Sequence, residues 1–114
     1  MQTSPGKVAP QSLEAEVAVL GGLLLDPTAI DRVVEVISGD DFYREAHRKI
    51  FRAALDLSER QQPVDLVTIT ELLKTRGELS EVGGAAYVSE LTDRAVTSAN
   101  VAYHARIIRE KSVL

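Results

Sequence analysis

The side chains with the chemistry to act are few in this chain and scattered along it. Asp40, Asp41 and Glu45 form its densest group of carboxylates, and oxygen ligands of that kind suit a hard cation such as Mg²⁺. They also lie just ahead of an apolar-periodic segment, where a cap and first-turn acids are expected, and this plainer reading is favoured. His47 is a candidate general base, yet it falls on an apolar stripe with no nucleophile or orienting partner in view, so a packing role is expected. His104 has no second ligand at i+4, which argues against a metal role. Gly83-Gly84 precedes a helix and offers backbone N–H groups to an anion, although a tight turn explains the pair equally simply. There is no G-x-x-x-x-G-K-[ST] phosphate loop, because Gly6-Lys7 is followed by Val8 and lacks the upstream glycine, and no G-x-G-x-x-G. These patterns support neither catalysis by this chain nor a cofactor or metal within it.

Charge offers a different kind of candidate. Arg44, Arg48 and Arg52 recur at i, i+4 and i+8 with Lys49 beside them. Like charges at that spacing cost roughly 0.2–0.5 kcal/mol per pair, and cations near a helix N-terminus oppose the dipole. A locally unfavourable feature marks a candidate docking surface for an acidic partner or for phosphates. A solvated face is the plainer explanation, and Asp56, at i+4 from Arg52, softens the argument. The net charge is −5 over residues 1–43, +2 over 44–60, −4 over 61–93 and +3 over 94–114.

Elements must position these groups, and composition bounds what they form. The chain has 114 residues, 45% apolar and 26% charged, with a formal charge of −4, which fits one globular domain. The absence of Cys excludes a disulfide framework and thiolate metal sites. The longest apolar run, Val17 to Leu25, is broken by two glycines and is too short to span a bilayer. Met1 to Pro10 has no apolar signal-peptide core and reads as a disordered tail. An intracellular, cytoplasmic chain without a membrane segment is expected. Net acidity weakens, without closing, the case for a nucleic-acid-binding domain.

Helical signals follow one another through the rest. Ser12 caps a first helix with Glu14 and Glu16 in its opening turns and an apolar stripe of Leu13, Val17, Leu20 and Leu24. Gly21 and Gly22 predict close approach of another helix. Asp26-Pro27 starts a second helix through Ile30, Val33, Val34 and Ile37, ended by Ser38-Gly39-Asp40. A third runs from about Glu45 to Arg60, with His47, Ile50, Phe51, Ala54 and Leu55 on one face and Gln61-Gln62-Pro63 as its stop. Asp65 caps a fourth that ends at Gly77. A strand from Val64 to Thr70 competes there, but the apolar period is nearer 3.6 than 2. Ser80 to Gly84 is a turn, and Ala85 to Arg94 is a short helix facing Tyr87, Val88 and Leu91 inward. Thr97 or Ser98 caps a last helix that continues to the end. The fold class is all-α, a compact bundle of about six helices, divided as a tail at 1–10, a globular bundle at 11–96 and a terminal helix at 97–114.

That last helix is the most informative element. Val101, Ala105 and Ile108 form one apolar stripe, and Tyr103, Ile107 and Leu114 form another about 100–160° away. One stripe suffices to bury a surface helix, so the second predicts contact with something else. A fully buried helix is the alternative. Tyr103, Ile107, Ile108 and Leu114 are the candidate subunit interface, and Arg44, Arg48, Lys49 and Arg52 the candidate partner-docking surface.

Taken in order, Glu14-Ala15-Glu16 with Val19-Leu20-Gly21, Asp41-Phe42-Tyr43, His47, Ile50-Phe51 and Leu57 are followed by Val64-Asp65 with Val67-Thr68. Val82-Gly83-Gly84, Tyr87, Leu91, Asn100-Val101 with Tyr103, Ile108 and Glu110-Lys111 complete the series. From Pro10 to Leu114 this series resembles the N-terminal domain of DnaB-type replicative DNA helicases. Each piece alone is weak, but their order and spacing together are specific. The resemblance implies a non-catalytic collar domain of a ring-shaped hexamer that unwinds DNA at the bacterial replication fork with ATP. It implies self-association as a dimer, through a helical hairpin that begins where this chain ends, and as a hexamer in the longer protein. It implies recruitment of primase and of a helicase loader. ATP and Mg would be held, and DNA met, by a RecA-like C-terminal domain outside this chain. The helicase-binding domain of a primase resembles the same bundle and is the alternative. A small helical DNA-binding module, using Leu66 to Arg76 or the arginine stripe, is a further one.

Overall fold

The computed structural model describes residues 11–113, so the tail expected over 1–10 and the side chain of Leu114 lie outside the described residues. Six α-helices make up the body: α1 (Leu13–Leu25), α2 (Ile30–Val33), α3 (Glu45–Glu59), α4 (Leu66–Thr75), α5 (Gly84–Arg94) and α6 (Val101–Ser112). Short 3₁₀ turns at Pro27–Ala29, Gly39–Asp41 and Ser80–Val82 link them, and the described residues contain no strand.

α1 is apolar on almost every side, and it sits at the centre because only burial all round satisfies such a helix. Val17, Val19, Leu20 and Leu23 are all buried in one core with Ile50 and Phe51 of α3, Leu91 of α5 and Val101, Ala105 and Ile108 of α6. The two glycines do what their position predicts. A Cβ on Gly21 would stand 2.3 Å from the Leu91 carbonyl oxygen, and one on Gly22 would stand 2.6 Å from Cγ1 of Val101. Glycine is thus what lets α5 and the start of α6 lie against α1.

The ends of the helices follow local chemistry. Ser12 Oγ accepts the Ala15 N–H at 3.2 Å. Asp26 Oδ1 accepts both the N–H and the hydroxyl of Thr28, at 3.2 and 2.6 Å, and Pro27 opens the next turn. α3 closes at Gln61, which takes the left-handed conformation at φ 58°, while the Gln62 N–H reaches back to the Leu57 carbonyl at 2.9 Å. α4 opens with a reciprocal capping box: the Asp65 N–H donates to Thr68 Oγ1 and the Thr68 N–H to Asp65 Oδ1, both at 2.9 Å. That pair of bonds commits the β-branched run at Val67 to Thr70 to helix rather than strand. α4 ends at Gly77, φ 71°, with the Glu78 N–H on the Leu73 carbonyl.

Two expectations need correction. The second helix is only one turn of α-helix, Ile30–Val33, and Val36 and Ile37 donate to the Val33 carbonyl instead of extending it. Neither Thr97 nor Ser98 caps α6. The Thr97 hydroxyl accepts from Ala99 N–H at 3.1 Å, and α6 begins at Val101 behind Asn100, which makes no side-chain cap bond. The Ser98 carbonyl is taken by the Val101 N–H and by Arg32 Nη2, so the polar groups of this loop brace it and tie it to α2.

Candidate functional site

The basic stripe lies along α3, but it does not stand open. Arg48 Nε donates to the Phe42 carbonyl at 2.7 Å, and Nη1 to Glu45 at 3.2 Å. Lys49 pairs with Glu81 and Arg52 with Asp40. The hydrogen bond that Lys49 donates to Glu81 is the main cause of a Lys49 pKa above its ordinary value. The Arg44 guanidinium lies over the Tyr87 ring, 5.8 Å from its centre. A run of cations that local rules score as unfavourable is therefore relieved by Glu45 within α3 and by Asp40 and Glu81 from outside it. The physical reason for reading Arg44, Arg48, Lys49 and Arg52 as a docking surface is correspondingly reduced, and with it the reading of the stripe as a phosphate-binding face.

The same contacts dispose of the carboxylate cluster. Asp40 and Glu45 are paired with arginines, and Asp41 accepts from the Ser38 N–H at 2.8 Å, Arg109 at 2.9 Å and the Ser112 hydroxyl at 2.6 Å. Partial burial pushes the Asp41 pKa up. The three donors outweigh it and hold the carboxyl below its ordinary value. Asp41 is thus a strut between the start of α3 and the end of α6. Among the described residues no group of His, Asp and Glu is arranged to hold a metal ion. Gly83 and Gly84, at φ 103° and 76°, form a left-handed turn, and their N–H groups already bond the carbonyls of Ser80 and Leu79. No nest is left for an anion. Among the described residues, these groups do not fit a bound nucleotide with its Mg²⁺.

His47 does have partners, and sequence reasoning missed them. Its Nδ1 lies 2.7 Å from Glu16 Oε1, and its Nε2 lies 2.6 Å from the Tyr87 hydroxyl. Glu16 Oε2 also accepts the Tyr43 N–H at 2.7 Å. Glu16 is only 1% exposed, so all its bonding must be met from within the protein. A carboxylate in its ionised form would only accept, and His47 Nδ1 would then be the donor of this bond. In the neutral ring the Tyr87 hydroxyl then donates to Nε2. Burial pushes the Tyr87 phenol above its ordinary pKa, so it keeps that proton. The chain Glu16–His47–Tyr87 resembles a catalytic triad in form, but Glu16 and His47 are sealed in the core. It fastens α1, α3 and α5 to one another. A signal was available: Glu16 sits at i−4 and i−7 from Leu20 and Leu23, within an apolar stripe, and His47 sits within another. Two polar groups on faces bound for one core must find each other or go unsatisfied.

α6 presents the expected inner stripe, with Val101, Ala105 and Ile108 buried. Ile108 is 1% exposed and fully used within the domain, so its place in the candidate interface is corrected to a core role. Tyr103 is 61% exposed, and Ile107 is half-buried beside Ala15 and Ala18 of α1. His104 meets the Tyr103 ring edge-on at 6.0 Å and belongs to no group of three or more potential metal ligands among the described residues. The outer face of α6 is thus carried by Tyr103 with part of Ile107. No helix among the described residues is long and apolar enough to cross a membrane.

With the geometry in place, known proteins give the context. Residues 8–110 match the family model described as the DnaB-like helicase N terminal domain. The chain is 53% identical over 108 residues to the replicative DNA helicase DnaB of Geobacillus stearothermophilus, covering 95% of this chain and 24% of that protein. It is 46% identical to the replicative DNA helicase DnaC of Bacillus subtilis, covering 95% and 24% of the two chains. Among solved structures, the N-terminal domain of DnaB helicase from Mycobacterium tuberculosis superposes with a TM-score of 0.89 at 45% identity, covering 92% of this chain and 76% of that one. A DnaB-like replicative helicase, described with its interactions with primase, superposes at 0.75 with 26% identity, covering 89% and 24%. The chain thus spans about a quarter of the length of these two curated relatives. A match running from before α1 nearly to the end of α6, in sequence and in fold together, establishes that the chain belongs to the DnaB-like helicase N-terminal domain family.

Proposed function

We propose that this domain is a non-catalytic collar piece of a hexameric replicative DNA helicase of the bacterial cytoplasm, joining neighbouring subunits and recruiting primase to the fork. ATP-driven unwinding, the Mg²⁺ that ATP hydrolysis requires and the contact with DNA belong to a motor domain beyond these residues. A helicase loader is a further partner of the whole assembly. The observation that carries the reading is the family match over nearly the whole chain, joined to a terminal helix that leaves Tyr103 exposed opposite a fully buried stripe. Covering that face on association would contribute at about 25 cal/mol per Å², offset in large part by lost rigid-body freedom. A weak contact of this kind is strengthened in a ring, where linkage to motor domains raises effective concentration.

Sedimentation equilibrium from micromolar to millimolar protein tests it, together with titration of a primase C-terminal domain. Concentration-dependent self-association, weakened roughly tenfold by Tyr103→Asp, or binding of the primase domain, is the expected result. A strict monomer at millimolar concentration that also ignores the primase domain would sink the reading.

A further inference from the structure

We infer that the trough between α2 and the C-terminal half of α3 is a docking surface for a cationic amphipathic helix of a partner protein. Two depressions of about 510 and 400 Å³ share Ile30, Asp31 and Ser58 and so lie side by side, the two parts of the channel. Its floor is apolar: Ile30, Val34 and Leu55 line it, and Val34 is 42% exposed. α2 is a single turn, which is why it leaves this flank of α3 uncovered.

Charge decides what would cover it. The ionisable groups lining the channel are Asp31, Glu59 and Asp65, and no Lys, Arg or His joins them. Asp65 is occupied in capping α4. Asp31 and Glu59 have neither an ion-pair nor a side-chain hydrogen-bond partner among the described residues, so no cation of the domain neutralises them. The cations that follow them in sequence, Arg32 and Arg60, are turned elsewhere. Arg32 donates to the Ser98 carbonyl, and Arg60 lines a separate hollow against α4. An apolar floor between unneutralised carboxylates is complementary to a helix with one greasy face flanked by Lys or Arg. The channel offers no strand edge for an extended peptide to join. This surface lies apart from the outer face of α6 and does not depend on the collar reading.

The test uses the domain labelled with ¹⁵N and titrated with a designed Leu/Lys amphipathic helix of about five turns, against the same peptide with Glu replacing Lys. The basic peptide should shift amides in 24–38 and 55–65, bind less tightly as salt rises, and lose at least roughly tenfold in affinity on Asp31→Lys with Glu59→Lys. Both positions are exposed, and Asp31→Asn with Glu59→Gln gives a milder check should the reversal perturb folding. Shifts centred on Tyr103, equal binding of the acidic peptide, undiminished affinity in both variants, or no shift at millimolar peptide would overturn the proposal. Shifts in the channel that grow with protein concentration without peptide would assign it to a second copy, and would overturn it as well.

Discussion

The two halves of α3 face opposite fates. On its N-terminal half, Arg48, Lys49 and Arg52 meet Glu45, Glu81 and Asp40, and Arg44 lies over the Tyr87 ring, above the buried Glu16–His47 pair. On its C-terminal half, Glu59 and the neighbouring Asp31 of α2 flank an apolar trough and stay unpaired among the described residues. The sequence pattern points the other way, since the conspicuous run of like charge is the basic one. Like charges along one helix report repulsion only until the fold brings up counter-charges. Glu81 lies 32 residues from Lys49, and Asp40 lies 12 from Arg52. A cluster that sequence rules mark as unfavourable can be the best-compensated part of the surface, and a less conspicuous one can be left open.

The largest effect should come from breaking the buried anchor beneath the paired half. Glu16→Ala leaves the Tyr43 N–H and the sealed His47 ring without their acceptor, and should cost about 3–5 kcal/mol in urea denaturation. His47→Leu combined with Glu16→Leu should cost distinctly less than the two single changes together, because neither then strands a buried partner. Additive losses would show that the two residues do not act as one unit.

Next comes Asp41. Its folded-state pKa lies below the ordinary value of 3.8, so its contribution is present above that pH and is lost as pH falls through the lower folded value. Asp41→Asn should cost about 1–2 kcal/mol at neutral pH, and the stability gap from the parent should close on acidification. A gap that stays constant across that window would remove the strut between α3 and α6.

The smallest effects sharpen the contrast between the two halves. A double-mutant cycle on Arg52 and Asp40 should give a coupling of about 0.2–1 kcal/mol that salt reduces. Asp31→Asn and Glu59→Gln should each leave thermal stability within about 0.5 kcal/mol of the parent. A substantial loss from either would mean that the trough acids serve the fold after all.

Much of this domain was legible without coordinates. The caps at Ser12, Asp26 and Asp65, the stop at Gly77 and the inward stripes of α1, α3 and α6 are written in local sequence. Each depends on residues three or four apart, whose geometry a helix fixes by itself. Gly21 and Gly22 announced a close approach, and Leu91 and Val101 are what approaches. Failures came where a local signal had competitors, as at Thr97 and Ser98, or where one residue was asked to serve two faces, as Ile108 was.

What tertiary structure alone decided is the pairing of groups distant in the chain. No spacing rule joins Glu16 to His47 and Tyr87, or Asp41 to Arg109, because those distances are set by how three-dimensional packing closes and not by helical repeat. Sequence determined which side chains had to be covered and where helices begin and end. Packing decided which charges were neutralised and which apolar surface was left over. The physical reason is that burial is imposed residue by residue, while electrostatic satisfaction belongs to whatever neighbours the completed fold provides.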